Sequence, residues 1–361
     1  MPKRMINVTK TYLPDFDQYV SYLRKIWDKA LLTNNGPLAQ ELEQSLKEYL
    51  KVDHLYFCGN GTIVLQMALK LLDEPGEIIT TPFSYVATTN VILWENCTPV
   101  FVDIDPQTYC IDPNLIEASI TEKTRAILAT HVYGNACDVE AIENIARKHN
   151  LTVIYDGAHA FGAVLNGRSL LSYGDFSTCS FHATKLFHTV EGGVIIANDA
   201  KWHEKLHLLR AFGHRGDDYY FVGINGKNSE IHAAMGLCNL PLVPELIAAR
   251  KAVCDVYTEL LDWSHLESPH WVEGLVRNYA YYPVIFESED KMLAVRDVLV
   301  KNDIIPRRYF YPSLNKLPFL KDAAPCPVSE NISLRVLCLP LHAELPHEDV
   351  GRIAELINQN L

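Results

Sequence analysis

Short apolar runs alternate with amphipathic stretches along most of this chain, and the two periods predict which are strands and which are helices. Leu42, Leu46 and Leu50 recur at helical spacing behind Gly36-Pro37, which predicts a helix over 38–50 with one apolar face. The run 54–58 is too short for a helix and reads as a strand; the turn Gly59-Asn60-Gly61-Thr62 follows, then a helix over 63–72. The alternation continues with strands over 77–80 and 98–103 around a helix over 86–94, a strand over 124–130, a helix over 139–149, and strands over 152–156, 176–181 and 193–198. Several runs are apolar at consecutive positions, as strands covered on both faces must be. This predicts an α/β fold. Near residue 240 the pattern changes. Pro241 and Pro244 punctuate the start of a helix over 246–261, followed by a strand over 281–286, a helix over 291–302 and a closing helix over 347–357. Pro283 inside that strand predicts an edge position, because proline cannot donate to a ladder. The chain therefore reads as a large domain over 1–244, including the N-terminal segment, and a smaller C-terminal α/β domain over 245–361.

Composition narrows the classes. The 361 residues carry 32 Lys+Arg against 44 Asp+Glu, a net charge of −12, and 48% are hydrophobic. A disordered chain is excluded by that apolar content. The acidic balance argues against nucleic acid and anionic membranes, which want a basic face. No signal peptide is legible behind Met1, and no run approaches the ~20 apolar residues of a bilayer span. The nine cysteines are odd in number, scattered and without a C-x-x-C pair, which predicts reduced, buried thiols in a cytoplasmic protein and no metal site.

Four local features carry chemistry. Gly59-Asn60-Gly61-Thr62 joins a strand to a helix, so backbone N–H groups and a hydroxyl converge as they do around phosphate. A dinucleotide fingerprint fails there, since Val64 stands where the third glycine belongs. Tyr85 follows the strand ending at Thr80 and can cover a flat ring. Asp156 closes an apolar strand, where a carboxylate is costly unless a cation or several donors meet it. Lys185, in Ser180-Phe181-His182-Ala183-Thr184-Lys185, is followed by Leu186, Phe187 and Glu191-Gly192-Gly193; a lysine enclosed this way loses its charge readily and becomes a nucleophilic amine. Singly these are a tight turn, a rim tyrosine, a helix cap and a surface lysine. In this order they match one cofactor, pyridoxal 5′-phosphate, which needs an amine for its aldehyde, an anion for its ring nitrogen, a platform for its ring and a turn for its phosphate.

The same segments resemble the DegT/DnrJ/StrS family of nucleotide-sugar aminotransferases nearly end to end. The resemblance runs from Leu32-Thr33-Asn34-Asn35-Gly36-Pro37, through Tyr85-Val86-Ala87-Thr88, Thr98-Pro99-Val100-Phe101-Val102-Asp103 and Asp156-Gly157-Ala158-His159, to Arg308-Tyr309-Phe310-Tyr311-Pro312 and Leu339-Pro340-Leu341, with Ser180 to Gly193 the most specific block. It implies fold type I, the aspartate-aminotransferase fold, as a homodimer with shared active sites. It implies that Lys185 binds the cofactor aldehyde, Asp156 the pyridine nitrogen and Tyr85 the ring. His159 would stand near the ring hydroxyl, and Gly61, Thr62 and Ser180 would hold the phosphate. Asn225, in Gly223-Ile224-Asn225-Gly226-Lys227, would reach the phosphate in the partner's site, and Lys227 the nucleotide diphosphate. Arg307 and Arg308 are candidate contacts for diphosphate or sugar hydroxyls, with Arg308 favoured. Within the family, the Ser180–Gly193 block looks most similar to enzymes that aminate C4 of dTDP-4-keto-6-deoxyglucose, with L-glutamate as donor, for O-antigen synthesis. A 3-keto or UDP-linked sugar substrate stays open, as does a regulator that binds the cofactor or sugar nucleotide without turnover.

Overall fold

The computed structural model describes residues 5–72, 74–321 and 323–361. Seven strands make the main sheet: β1 (Leu55–Cys58), β2 (Glu77–Thr80), β3 (Thr98–Phe101), β4 (Thr124–Thr130), β5 (Thr152–Asp156), β6 (Phe176–Ser180) and β7 (Gly193–Ala197). Their order is β1-β7-β6-β5-β4-β2-β3. β7 is antiparallel to both neighbours and every other pairing is parallel. Parallel strands need crossover connections: the helix Gly61–Lys70 links β1 to the distant β2, Val86–Trp94 links the neighbours β2 and β3, and Val139–His149 links the neighbours β4 and β5.

Alternate residues on each strand go to opposite faces, which is why the runs are apolar throughout. Ile78, Leu128, Ile154 and Ile195 pack with Val64 and Ala68 of the first crossover helix. Ile79, Ile127 and Val153 pack on the other side with Ile142, as Val194 and Ile196 do with Leu42 and Leu46. The helix Pro37–Leu50 has no side-chain cap of its own at Gly36. Glu230 supplies it from across the fold, accepting from the N–H groups of Leu38 and Ala39, both at 2.9 Å. A β-carbon at residue 36 would stand 2.7 Å from that carboxylate, so any larger residue there would push Glu230 off its cap.

The C-terminal part is built on a three-stranded antiparallel sheet, Leu266–Glu267, Tyr282–Phe286 and Val336–Leu339, with Tyr282–Phe286 in the middle. Its core includes Val253 and Tyr257, Val295 and Leu299, and Val350 and Ile353, from three helices. Pro283 is therefore on the central strand, not an edge. It is tolerated because Leu266–Glu267 pairs only with Ile285 and Phe286, so the ladder on that side ends before Pro283. The N-terminal residues Ile6–Asn7 pair in parallel with Ile304–Ile305, so the start of the chain packs with the C-terminal part.

The elements outside the predicted set include the helices Phe16–Lys29, His203–Leu209, Glu230–Asn239 and Pro327–Arg335 and the strands Leu266–Glu267 and Val336–Leu339. The helix predicted from residue 246 belongs to a helical run, Glu230–Leu260, that crosses residue 244. Pro241 lies in its 3-10 link and Pro244 in the first turn of Val243–Leu260, where no backbone donor is lost. By length and composition this run could cross a bilayer, contrary to expectation, but 56% of its most apolar window is buried within the molecule. All nine cysteines are free and buried.

Candidate active site

The ends of β4, β5 and β6, with the segments that follow β1 and β2, border a cavity of about 290 Å3. A parallel sheet opens its site at this edge, where strand ends and helix starts meet. The cavity gathers Gly61, Thr62, Tyr85, Asp156, His159, Ser180 and Lys185 on its wall.

Asp156 is the last residue of β5 and is 5% exposed. Its Oδ2 accepts from Thr88 Oγ1 at 2.8 Å and its Oδ1 from the Ala158 N–H at 3.0 Å. Thr88 is the end of a hydroxyl chain: Thr130 Oγ1 donates to Ser84 Oγ at 3.0 Å, and Ser84 and Thr88 lie 2.8 Å apart. Burial pushes the Asp156 carboxyl above its ordinary range, and these two hydrogen bonds and Lys185 pull only partly against it. Burial likewise lowers the Lys185 ammonium, with Asp156 opposing. Each group thus favours its neutral form relative to water, which is the condition for a nucleophilic amine.

His159 is held by its ring. Nδ1 accepts from the Tyr133 N–H at 3.2 Å, which assigns the proton to Nε2. Phe310 stacks on the ring at 5.5 Å and 3°, and burial keeps the imidazole neutral by lowering its pKa well below the usual value.

At the other end, Asn60 caps the helix Gly61–Lys70 by accepting from the Ile63 N–H at 2.8 Å. A β-carbon at residue 61 would lie 2.7 Å from Ser180 Cβ and 3.0 Å from its Oγ. The bare backbone and the Ser180 hydroxyl therefore form one ledge at a helix N-terminus, suited to an anion. Tyr85 caps the wall and is 54% exposed.

Three expected residues are not on this wall. Asn225 is exposed and pairs by backbone with Ala211. Lys227 pairs by backbone with Cys58, and its Nζ lies over the Phe212 ring, 4.9 Å from the centroid. Both sit on a segment running behind the Gly59 turn. Arg308 faces away from the cavity: its Nη2 donates to Glu289 Oε1 at 2.8 Å and to the Leu334 carbonyl at 3.1 Å. Arg307 lines the cavity instead, its guanidinium over the Tyr309 ring at 4.5 Å. Sequence reasoning also passed over Thr88, Ser84, Thr130, Tyr281, Tyr309 and Phe310. Thr88 stood inside a quoted motif, and only its spacing of three from Tyr85, one helical turn, hinted at an inward face.

The residues present fit pyridoxal phosphate. A half-buried amine and a buried carboxylate border one cavity, and the carboxylate leaves room for a cation that its two donors do not replace. The bare-backbone ledge lies on the same wall. Fold and site thus define a fold type I pyridoxal-phosphate enzyme. The family model for DegT/DnrJ/EryC1/StrS aminotransferases matches residues 16–358, and the chain belongs to that family. It is a pyridoxal-phosphate-dependent sugar aminotransferase. The chain is 41% identical to the dTDP-4-amino-4,6-dideoxy-D-glucose transaminase of Shigella dysenteriae, over 99% of each chain. It is 39% identical to the enzyme of the same name from Escherichia coli, also over 99% of each. The crystal structure of DesI in the presence of its TDP-sugar product superposes with a TM-score of 0.92 at 30% identity, covering 99% of this chain and 93% of that one.

Proposed function

We propose that this enzyme transfers the amino group of L-glutamate to C4 of dTDP-4-dehydro-6-deoxyglucose, giving dTDP-4-amino-4,6-dideoxyglucose for O-antigen or a related surface polysaccharide. The observation that carries the substrate is the full-length identity of 41% to a transaminase named for that amino sugar. The chemistry rests on the half-buried Lys185 and the buried Asp156 on one cavity wall.

Bound in this cavity, pyridoxal phosphate supplies an aldehyde for amine exchange and a ring that takes up the electron pair left when a C–H bond is broken. Lys185 would bind the aldehyde carbon and, as a free amine, would carry the proton from the donor's α-carbon to that former aldehyde carbon. Asp156, fixed by Thr88 and the Ala158 N–H, would keep a proton on the ring nitrogen. His159, with its proton on Nε2, would stand near the ring hydroxyl. Gly61, Thr62 and Ser180 would hold the phosphate, and Tyr85 would cover the ring. Donor and acceptor use one site in turn, so the kinetics are ping-pong.

The working unit in this reading is a homodimer. Tyr219 and Val222, on the same segment as Asn225, are 77% and 79% exposed, an apolar face that a second copy would cover. Asn225 would then reach the phosphate, and Lys227 the diphosphate, in the neighbouring cavity. Mass spectrometry of the product from glutamate and dTDP-4-keto-6-deoxyglucose tests the substrate. An amine in place of the ketone is expected; no product there, with turnover of a UDP-linked or 3-keto sugar, would overturn it.

A further inference from the structure

Tyr281 precedes the strand Tyr282–Phe286 and is 6% exposed on the cavity wall. Lys185 Nζ donates to its hydroxyl at 3.5 Å, and among the described residues neither group has another hydrogen-bond partner. The Tyr281 ring stands edge-on to His159 at 4.7 Å and to Tyr309 at 5.2 Å.

The backbone before Tyr281 is clamped twice. Arg250, 4% exposed on the helix Val243–Leu260, donates from Nη1 to the carbonyls of Tyr279 at 3.2 Å and Ala280 at 3.1 Å. Asn278 donates to the carbonyls of His159 at 2.7 Å and Phe161 at 2.9 Å, while its Oδ1 accepts from the Ala280 N–H at 3.2 Å. A buried guanidinium is costly unless its donors are used. Here one is used on the two residues ahead of Tyr281, and Asn278 fastens the same segment to the loop that carries His159.

Lys185 has two tasks in this enzyme. It bonds to the aldehyde carbon, and as a free amine it carries a proton between two carbons. The second task needs an amine that stays within reach and can still lose its proton. A carboxylate partner at that distance would hold it as an ammonium. A phenol kept neutral by burial accepts its hydrogen bond without adding charge, and burial pushes the Tyr281 hydroxyl well up.

We propose that Tyr281 is a positioning residue for Lys185: its hydroxyl holds the free amine against the cavity wall, between His159 and Tyr309, on the path of proton transfer. The proton leaves the donor's α-carbon for the Lys185 nitrogen, the electron pair stays with the carbon and the cofactor ring, and Tyr281 neither gains nor loses a proton. This rests on the pyridoxal-phosphate reading of the site and on glutamate as donor.

Tyr281→Phe keeps the ring and removes only the hydroxyl. In the loaded enzyme, single turnover with L-glutamate is expected to slow roughly tenfold, the worth of one buried hydrogen bond. The KM for glutamate should hold, and the primary isotope effect from α-deuterated glutamate should rise because proton transfer becomes the slower step. Cofactor-free protein should also recapture pyridoxal phosphate more slowly, followed by growth of its visible band. Wild-type rate and isotope effect in the variant would overturn the proposal. So would a slower reaction with raised KM and unchanged isotope effect, the mark of a binding defect. If the wild-type enzyme itself fails to react with glutamate, the donor assignment fails, while the recapture rate still decides the role of Tyr281.

Discussion

The cavity has two walls of different origin. The wall from the main sheet is made of strand ends and the tight turns that follow them: Gly61 and Thr62 after β1, Asp156 at the end of β5, Ser180 at the end of β6. The opposite wall comes from the C-terminal part and consists of Tyr281, Arg307, Tyr309 and Phe310. The first wall is set by backbone geometry: a strand end fixes where a side chain points, and a bare glycine fixes a ledge. The second is set by packing, with Tyr281 placed by Arg250 and Asn278 and Phe310 by its stack on His159. Backbone-set sites tolerate almost no substitution at their few key positions, whereas packing-set sites spread their effect over several residues. The predictions rank accordingly.

The largest effect belongs to Lys185→Ala. Removing the amine that both binds the cofactor and moves the proton should reduce turnover by about 10⁴-fold. Borohydride should no longer fix the cofactor to the protein, read by intact mass. Appreciable turnover in this variant would mean that the sheet wall does not carry the chemistry.

Asp156→Asn separates electrostatics from folding on the same wall. Turnover should fall by about a hundredfold or more, as when one preorganised charge is lost from a site. Stability should move the other way. Burial raises the carboxyl of folded Asp156 above its unfolded value, so the folded protein holds that proton more tightly. The stabilisation this gives is full below the ordinary carboxylate range and is lost as pH rises through the raised value. Without cofactor, the wild-type melting temperature should therefore decline, relative to the Asn variant, as pH climbs from acid toward neutral. A constant difference between the two proteins across that range would show that Asp156 titrates normally.

The two walls also differ in how far sequence reveals them. The strands over 77–80, 124–130 and 152–156 and the helix over 139–149 fall where their apolar periods predict, because strands covered on both faces and a helix with one buried face leave plain periods. Asp156 and Lys185 were legible for the complementary reason: each is a charged residue inside an apolar setting. On the C-terminal wall Arg307 was legible as a candidate and Tyr309-Phe310 as part of a family motif, but Tyr281 left no mark. Tyr281 lies in Asn278-Tyr279-Ala280-Tyr281-Tyr282, a run of tyrosines that reads as ordinary strand or core, and nothing local says which hydroxyl meets Lys185, 96 positions earlier. Pro283 misled for a related reason. Its cost depends on how far a partner strand reaches, and Leu266–Glu267 is only two residues long.

Thr88→Val tests whether the sheet wall's hidden support matters as much as its visible residues. The substitution keeps shape and removes the hydroxyl that donates to Asp156 at 2.8 Å and ends the chain from Thr130 through Ser84. Turnover should fall roughly tenfold, the cost of one hydrogen bond to a buried charge. The fall should come with weaker retention of the cofactor, measured by dialysis and absorbance, since a carboxylate with one donor fewer is a poorer partner for the ring nitrogen. Unchanged turnover would show that the Ala158 N–H alone fixes Asp156.

The smallest effect is expected at Arg308, and it sharpens the comparison most because its neighbour serves as the control. Adjacent residues on an extended segment point to opposite sides, and here one guanidinium faces the cavity while the other faces the C-terminal core. Arg308 ties the Glu289 carboxylate, at the start of the helix Glu289–Lys301, to the Leu334 carbonyl near the end of Pro327–Arg335, and lies 3.6 Å over the Tyr311 ring. Arg308→Ala should therefore cost about 1–2 kcal/mol of stability, a melting-temperature drop of a few degrees, with kcat and both KM values unchanged. Arg307→Ala should do the reverse, raising a substrate KM with little change in melting temperature, because no ion pair holds Arg307 among the described residues and its charge is presented to the cavity over Tyr309. If Arg308→Ala instead raises a KM at constant melting temperature, the segment 307–310 turns over when substrate binds, and the C-terminal wall is a moving part rather than a packed one.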